Sequence, residues 1–177
     1  SHVVSMQVAQ QEINYLQAEL AHKNQILLEK LHSKINLTYK IRQNIHHENL
    51  QTNLPNWLYD YLQENAFVNN VQWARFKDEF NSIYDNYLTK LTDKYPAITQ
   101  ADLQYIALSA LGLSINDITM LLDCSTAGVV SNRKIRIKKH LNIQSDLDSW
   151  IRSDLIESTP VLQKLKEQNM LNLPFSK

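Results

Sequence analysis

The sequence predicts an all-α protein in which a long N-terminal coiled-coil helix precedes a helical domain. Only two glycines and four prolines occur in 177 residues, too few for the turns of a multi-stranded sheet. Apolar residues recur at intervals of three and four through most of the chain, which is the spacing of amphipathic helices. Residues 1–50 contain neither glycine nor proline, so we expect one uninterrupted helix there.

This first helix carries a narrow apolar stripe. Because one helix cannot bury such a stripe by itself, we expect a homodimeric coiled coil with a second copy of the chain. Packing of the helix back onto the downstream helices is the alternative. Lys23 interrupts the stripe and is a weak point in it. The members of the stripe are Met6, Ala9, Ile13, Leu16, Leu20, Lys23, Leu27, Leu31, Ile35, Thr38, Ile41 and Ile45.

The triplet His46-His47-Glu48 raises two chemical possibilities, a metal site and a phosphoacceptor histidine. Adjacent histidines on a helix point in different directions, and no third ligand has a suitable spacing. No ATP-binding sequence or glycine-rich phosphate loop follows. We therefore interpret the triplet as a solvated polar break. The chain shows no nucleophile–base pair, metal cluster or phosphate loop, so we expect no enzymatic activity and no cofactor.

Residues 51–96 are predicted to form a helical connector. Pro55 fits the first turn of a helix whose apolar face consists of Trp57, Leu58, Tyr61 and Leu62. After a loop at 68–70, a longer helix is expected from Val71 to Lys94. Its helically spaced apolar residues indicate core packing and not a ligand site. They are Trp73, Phe76, Phe80, Ile83, Tyr84, Tyr87, Leu88 and Leu91.

Residues 97–158 are predicted to be a domain of short helices, followed by a helical tail at 159–177. Thr99 and Asp102 have the spacing of a capping box at the start of one helix, and Gly112 stands where that helix should stop. Ser145 is expected to cap a closing helix that ends near Glu157. Pro160 is expected to start the tail helix.

Within this domain, residues 114–143 predict two helices joined by a tight turn. Ser114 caps the first helix, whose apolar stripe is Ile118, Leu121 and Leu122. The turn is expected at residues 123–124, with Ser125 as the cap of a second helix from about Thr126 to His140. Two helices in this arrangement are typical of a helix-turn-helix.

The second of these helices is far more basic than the rest of the chain. No acid lies between Asp123 and Asp146, whereas five of the eighteen Lys and Arg residues fall in this interval. At about 100° per residue, Val130, Ile137 and Leu141 share one direction, while Ser131, Asn132 and Ile135 point away from it. A solvated basic helix is the simpler interpretation. The missing acids and the outward isoleucine, which could meet a thymine methyl, favour a helix that reads DNA.

These residues resemble the LuxR/GerE-type helix-turn-helix domain over positions 98–143. Asp replaces Glu at two motif positions, Thr119 stands where Ala is usual, and Asn142 replaces Gly. The approach to the recognition helix is one residue longer, which leaves Val129 as an alternative anchor to Val130. The matching residues are Ile98, Thr99, Asp102, Gly112, Ser114, Asp117, Ile118, Ser125, Val130 and Lys139 through Asn142.

The resemblance implies a bacterial transcription regulator that binds double-stranded DNA. It assigns base contacts to Ser131, Asn132 and Ile135, the residues that the helical wheel also points outward. The pattern from Trp73 to Pro96 is similar to the segment before the helix-turn-helix in multidomain regulators, which implies an upstream sensor or tetratricopeptide-repeat domain. The expected phosphate contacts are Thr126, Arg133, Lys134, Arg136, Lys138 and Lys139.

Two other functions fit parts of the sequence. A sigma-factor-like promoter-recognition domain uses a similar helix-turn-helix, but the N-terminal helix does not resemble a polymerase-binding region. A coiled-coil interaction module could instead present the basic helix to an acidic protein. The net charge is zero, so any attraction to a polyanion must be local. The single cysteine, Cys124, allows no intrachain disulfide, and no apolar run is long enough to span a membrane, so we expect a cytoplasmic protein.

Overall fold

In the computed structural model, the described residues are 2–47, 55–122 and 126–169, and they form helices and turns without any strand. This confirms the all-α prediction. None of the helices in these ranges is both long enough and apolar enough to cross a membrane. The helices are α1 (His2–His47), α2 (Asn56–Asn65), α3 (Asn70–Ile83), α4 (Tyr87–Lys94), α5 (Gln100–Ala110), α6 (Ile115–Leu121), α7 (Ala127–Leu141), α8 (Leu147–Ser158) and α9 (Pro160–Glu167).

Helix α1 packs against α3, α6 and α9 of the same chain. This is the fold-back alternative to the coiled coil, and a homodimer would have to form through another surface. Lys23 is not in the buried stripe: it is exposed and pairs with Glu19 at 3.1 Å. The buried polar position is Asn24, whose Oδ1 accepts a 2.7 Å hydrogen bond from the Tyr84 hydroxyl. Among residues 2–43, the part of α1 whose side chains the structure describes, the buried residues are Ile13, Leu20, Asn24, Leu27, Leu31 and Ile35.

Helix α2 differs from its predicted packing. None of its residues is buried, and Trp57, expected on the apolar face, is 70% exposed. Leu58 and Leu62 are only half-buried, and Tyr61 is exposed. The aromatic content of this segment therefore misled the prediction, because the neighbouring helices cover only one side of α2.

The predicted helix from Val71 to Lys94 is broken into α3 and α4. Asp85 and Asn86 both adopt left-handed backbone conformations, with φ values of 52° and 59°. Asp and Asn tolerate this region better than other non-glycine residues. The buried Asn81 side chain secures the break, since its Oδ1 accepts from Leu88 N at 3.0 Å and its Nδ2 donates to Thr89. Apart from the half-buried Ile83, the predicted apolar residues on both sides of the break are buried.

Helix α5 forms the centre of the C-terminal half and packs against α6 and α8. The capping box at its start is confirmed: Thr99 Oγ1 accepts from Asp102 N at 3.2 Å, and Asp102 Oδ2 accepts from Thr99 N at 3.0 Å. Gly112 follows α5 with a φ of 80°, as predicted. The cap of α8 is Asp146 and not Ser145, because its Oδ2 accepts from Ser149 N.

Candidate nucleic-acid interface

Helices α6 and α7 form close to the positions that the sequence predicted, and they pack against each other. Ser114 Oγ accepts from Asp117 N at 3.2 Å and caps α6, whose stripe of Ile118, Leu121 and Leu122 is buried. Thr126 caps α7, since its Oγ1 accepts from Val129 N at 3.4 Å. The predicted turn and the predicted cap Ser125 lie outside the described residues.

The inward face of α7 is the one that the sequence predicted. Val130 and Ile137 are fully buried and Leu141 is 2% exposed. Val129, the alternative anchor, is 41% exposed, so Val130 is the valine that packs into the core. Helix α7 ends at Asn142 in the left-handed region, with a φ of 56°. Asparagine is one of the few residues that adopts this conformation readily, which explains why it can stand where glycine is usual.

The residues predicted to touch bases form an uncovered face of α7. Asn132 and Ser131 are exposed, and Ile135 is 57% exposed although it is a large aliphatic side chain. The Ser131 hydroxyl donates to Ala127 O at 3.1 Å within the helix, which leaves its oxygen free to accept a further bond. The structure therefore brings these three side chains together on the side opposite to Val130.

Three of the predicted phosphate contacts surround this face. Arg136 and Lys139 are exposed and Arg133 is half-buried. Within the described ranges these three cations have neither an ion pair nor a side-chain hydrogen bond. Lys138 lies further round the helix, where its Nζ donates to Gln144 O at 3.3 Å. The free cations thus lie beside the exposed polar face.

Lys134 is placed differently from the other predicted phosphate contacts. Its Nζ lies 2.7 Å from Asp148 Oδ2, and Asp148 Oδ1 also accepts from the hydroxyls of Tyr105 and Ser109, each at 2.6 Å. Burial, the largest single influence, raises the pKa of Asp148, but the hydrogen bonds from Lys134, Ser109 and Tyr105 together outweigh it and leave this pKa below its ordinary value. The Lys134 charge is therefore neutralised by α8.

His140 forms a second polar contact between α7 and the core. Its Nδ1 lies 2.5 Å from Oδ2 of Asp102, a carboxylate with no exposed surface. The same carboxylate completes the capping box of α5, so one acid joins the start of α5 to the end of α7. Sequence reasoning did not single out His140 or Asp148, because nothing in the local pattern shows which acid a cation on a helix flank will meet.

Gly128 was also missed. It lies in the first turn of α7 on the exposed side, four residues before Asn132. Among the described residues, a Cβ added there would meet only Thr126 Oγ1, at 3.5 Å, which is an ordinary contact. The fold therefore does not require glycine at this position, although glycine in a helix is less stable than alanine. A ligand that must approach the helix backbone closely would explain it.

No group of histidine, cysteine or acidic residues suited to a metal ion occurs in the described part of the chain. Comparisons with protein-family models, with curated proteins and with solved structures found no match in any of the three. The similarity to LuxR/GerE domains therefore consists of the matching residues between Ile98 and Asn142 alone.

Proposed function

We propose that this chain is a DNA-binding transcription regulator whose helix α7 enters the major groove. The observation that carries the proposal is the uncovered face of α7: Asn132 and Ile135 are exposed in a helix whose opposite side is fully buried. Cations without partners in the described structure flank this face, and the helix contains no acid. An exposed isoleucine among cations can contact a thymine methyl in the major groove.

The proposed DNA contacts of α7 fall into two groups, base contacts and phosphate contacts, according to where each residue lies on the helix. Asn132, Ser131 and Ile135 are proposed to meet base edges and to set sequence preference. Thr126 at the start of α7 can donate its hydroxyl to a phosphate, where the helix dipole also favours an anion. Arg133, Arg136, Lys138 and Lys139 are proposed to contact phosphates and to set affinity and salt dependence. Lys134 was also predicted to contact a phosphate, but we leave it out of the proposed contacts because Asp148 already neutralises its charge.

Helix-turn-helix proteins commonly bind paired half-sites, so we propose that the chain acts as a homodimer in the cytoplasm. The buried stripe of α1 packs against α3, α6 and α9 of the same chain, which favours another surface for the dimer. An exposed face of α1 or an upstream segment would provide the contact. The same class of regulator is implied by the resemblance to LuxR/GerE domains.

Selection of bound sites from a random DNA pool tests the proposal directly. The wild type should yield a defined motif, and the spacing of its half-sites should report the dimer geometry. Asn132→Ala should keep nonspecific affinity but relax the motif at one position. Lys139→Ala should weaken binding to all sequences and reduce the salt dependence by about one phosphate contact.

Lys40→Ala is the matched control, because it removes the same charge from an exposed site on α1. It should bind as the wild type does. If wild-type protein failed to shift any duplex at low salt, the proposal would be wrong, and the basic face would be assigned to an acidic protein partner.

A further inference from the structure

A cavity of about 410 Å³ lies between the second half of α1, the end of α2 and the last turn of α6. Its volume falls within the range of roughly 300–1,000 Å³ that is common for small-molecule sites. The wall is mostly aliphatic and aromatic, so a bound molecule would bury apolar surface there. The apolar lining residues include Leu37, Ile41, Leu62, Phe67, Met120 and Leu121.

The charged groups among the described residues of this cavity are basic. Lys34 and Arg42 line it, and no aspartate or glutamate is among the described lining residues. Lys34 Nζ donates to Asn65 O at 2.7 Å and to Gln72 Oε1 at 3.3 Å, and both acceptors are neutral. An ammonium group has three hydrogens, so one remains for a ligand. Burial lowers the pKa of Lys34, as expected for a cation that no carboxylate offsets.

We propose that this cavity binds a small amphipathic carboxylic acid. Its aliphatic or aromatic body would lie against the apolar wall, and its carboxylate would accept the remaining hydrogen of Lys34 and offset that charge. A chain with no net charge attracts anions only at such local sites. An uncharged apolar molecule would leave the half-buried ammonium uncompensated and would bind more weakly.

The cavity also touches the proposed DNA-reading unit. Met120 and Leu121 lie in the last turn of α6, and α7 packs against α6. A bound acid would therefore contact the support of α7 without touching its exposed face. We infer that such an acid changes DNA affinity. This coupling rests on the proposed function, whereas the binding of the acid does not.

Methionine methyl signals report the site without DNA. The chain has three methionines, of which Met120 lines the cavity, Met6 is exposed near the start of α1, and Met170 lies outside the described residues. With ¹³C-methyl methionine, sodium decanoate below its micellar concentration should shift the Met120 signal and leave Met6 in place. Met6→Leu and Met170→Leu variants assign the signals. If no signal shifted, or if Met6 shifted as much as Met120, the proposed site would be wrong.

Two variants test separately the Lys34 ammonium group and the apolar space of the cavity. Lys34→Gln should weaken decanoate binding at least tenfold in calorimetry and leave the weak binding of 1-decanol unchanged. Lys30→Gln is its control, one turn earlier on α1 and paired with Glu79 outside the cavity. Leu62→Trp should fill the space and abolish both interactions. Equal decanoate affinity in wild type and Lys34→Gln would overturn the role of the ammonium group.

The effect of the bound acid on DNA affinity is measured in a separate experiment. Decanoate should change the wild-type DNA dissociation constant at least threefold and have no such effect on the Leu62→Trp variant. A Met120 shift with unchanged DNA affinity would overturn the coupling and keep the site. Absence of DNA binding with a Met120 shift would instead overturn only the proposed function.

Discussion

Helices α1 and α7 both bury one stripe and leave the opposite face uncovered, but their uncovered faces differ in charge. On α1, Glu19 pairs with Lys23 on the same helix, and Glu12 meets Lys164 of α9 at 3.8 Å. On α7 there is no acid, and an exposed isoleucine lies among the cations. Burial explains the stripes of both helices. The two helices differ in the composition of the free face, and for α7 that composition is the basis of the proposed DNA contact.

The largest expected effect comes from the buried stripes, which should behave alike in the two helices. Leu27→Ala in α1 and Ile137→Ala in α7 should each lower the free energy of unfolding by about 3 kcal/mol, because each leaves a cavity in a packed core. Urea unfolding at two protein concentrations measures both. If the wild-type midpoint rose with protein concentration and Leu27→Ala removed that dependence, the buried stripe of α1 would pack with a second copy, as in the homodimeric coiled coil; a homodimer through another surface should keep the dependence in the variant.

The next effect concerns the attachment of α7 to the core. Asp148→Asn should lower the free energy of unfolding by about 2 kcal/mol, because it removes the charged acceptor shared by Lys134, Tyr105 and Ser109. The folded pKa of Asp148 is lowered, so its contribution is complete above the unfolded pKa of about 4 and is lost as the pH falls through the folded pKa. The difference between wild type and variant should therefore shrink below about pH 4. A difference that persisted at lower pH would contradict a role for the carboxylate charge.

A smaller effect is expected at Gly128, where one substitution should raise the stability of the protein and weaken its binding to DNA. Gly128→Ala should raise the free energy of unfolding by about 0.5 kcal/mol, because alanine is the better helix former and the added methyl makes only an ordinary contact with Thr126 Oγ1. The same methyl should obstruct close approach of a DNA backbone and weaken binding. Thermal unfolding and a mobility shift measure the two effects on one sample. Unchanged or tighter DNA binding would place this glycine outside the interface.

The smallest effect on stability is expected at the free faces themselves. Ile135→Ala in α7 and Ile26→Ala in α1 should each change the free energy of unfolding by less than about 0.5 kcal/mol, because both side chains are largely exposed. Only Ile135→Ala should alter the selected DNA motif, at the position of a thymine. If Ile26→Ala altered DNA binding equally, the contrast between the two faces would have no functional meaning.

Much of the local structure followed from the order of the residues. Three local features were predicted correctly: the capping box at Thr99, the helix stop at Gly112 and the buried side of α7. Each depends on residues that are close together in the sequence. The outward positions of Asn132 and Ile135 followed from the same helical spacing. Their function, in contrast, stays a prediction.

The tertiary structure alone decided which surfaces meet. It buried the stripe of α1 against α3, α6 and α9 and left Trp57 exposed. It broke the predicted helix at Asp85 and Asn86, and it assigned Lys134 to Asp148. Helical periodicity shows that a stripe needs a partner, but every apolar surface satisfies that need equally, so the choice depends on contacts between residues far apart in the chain.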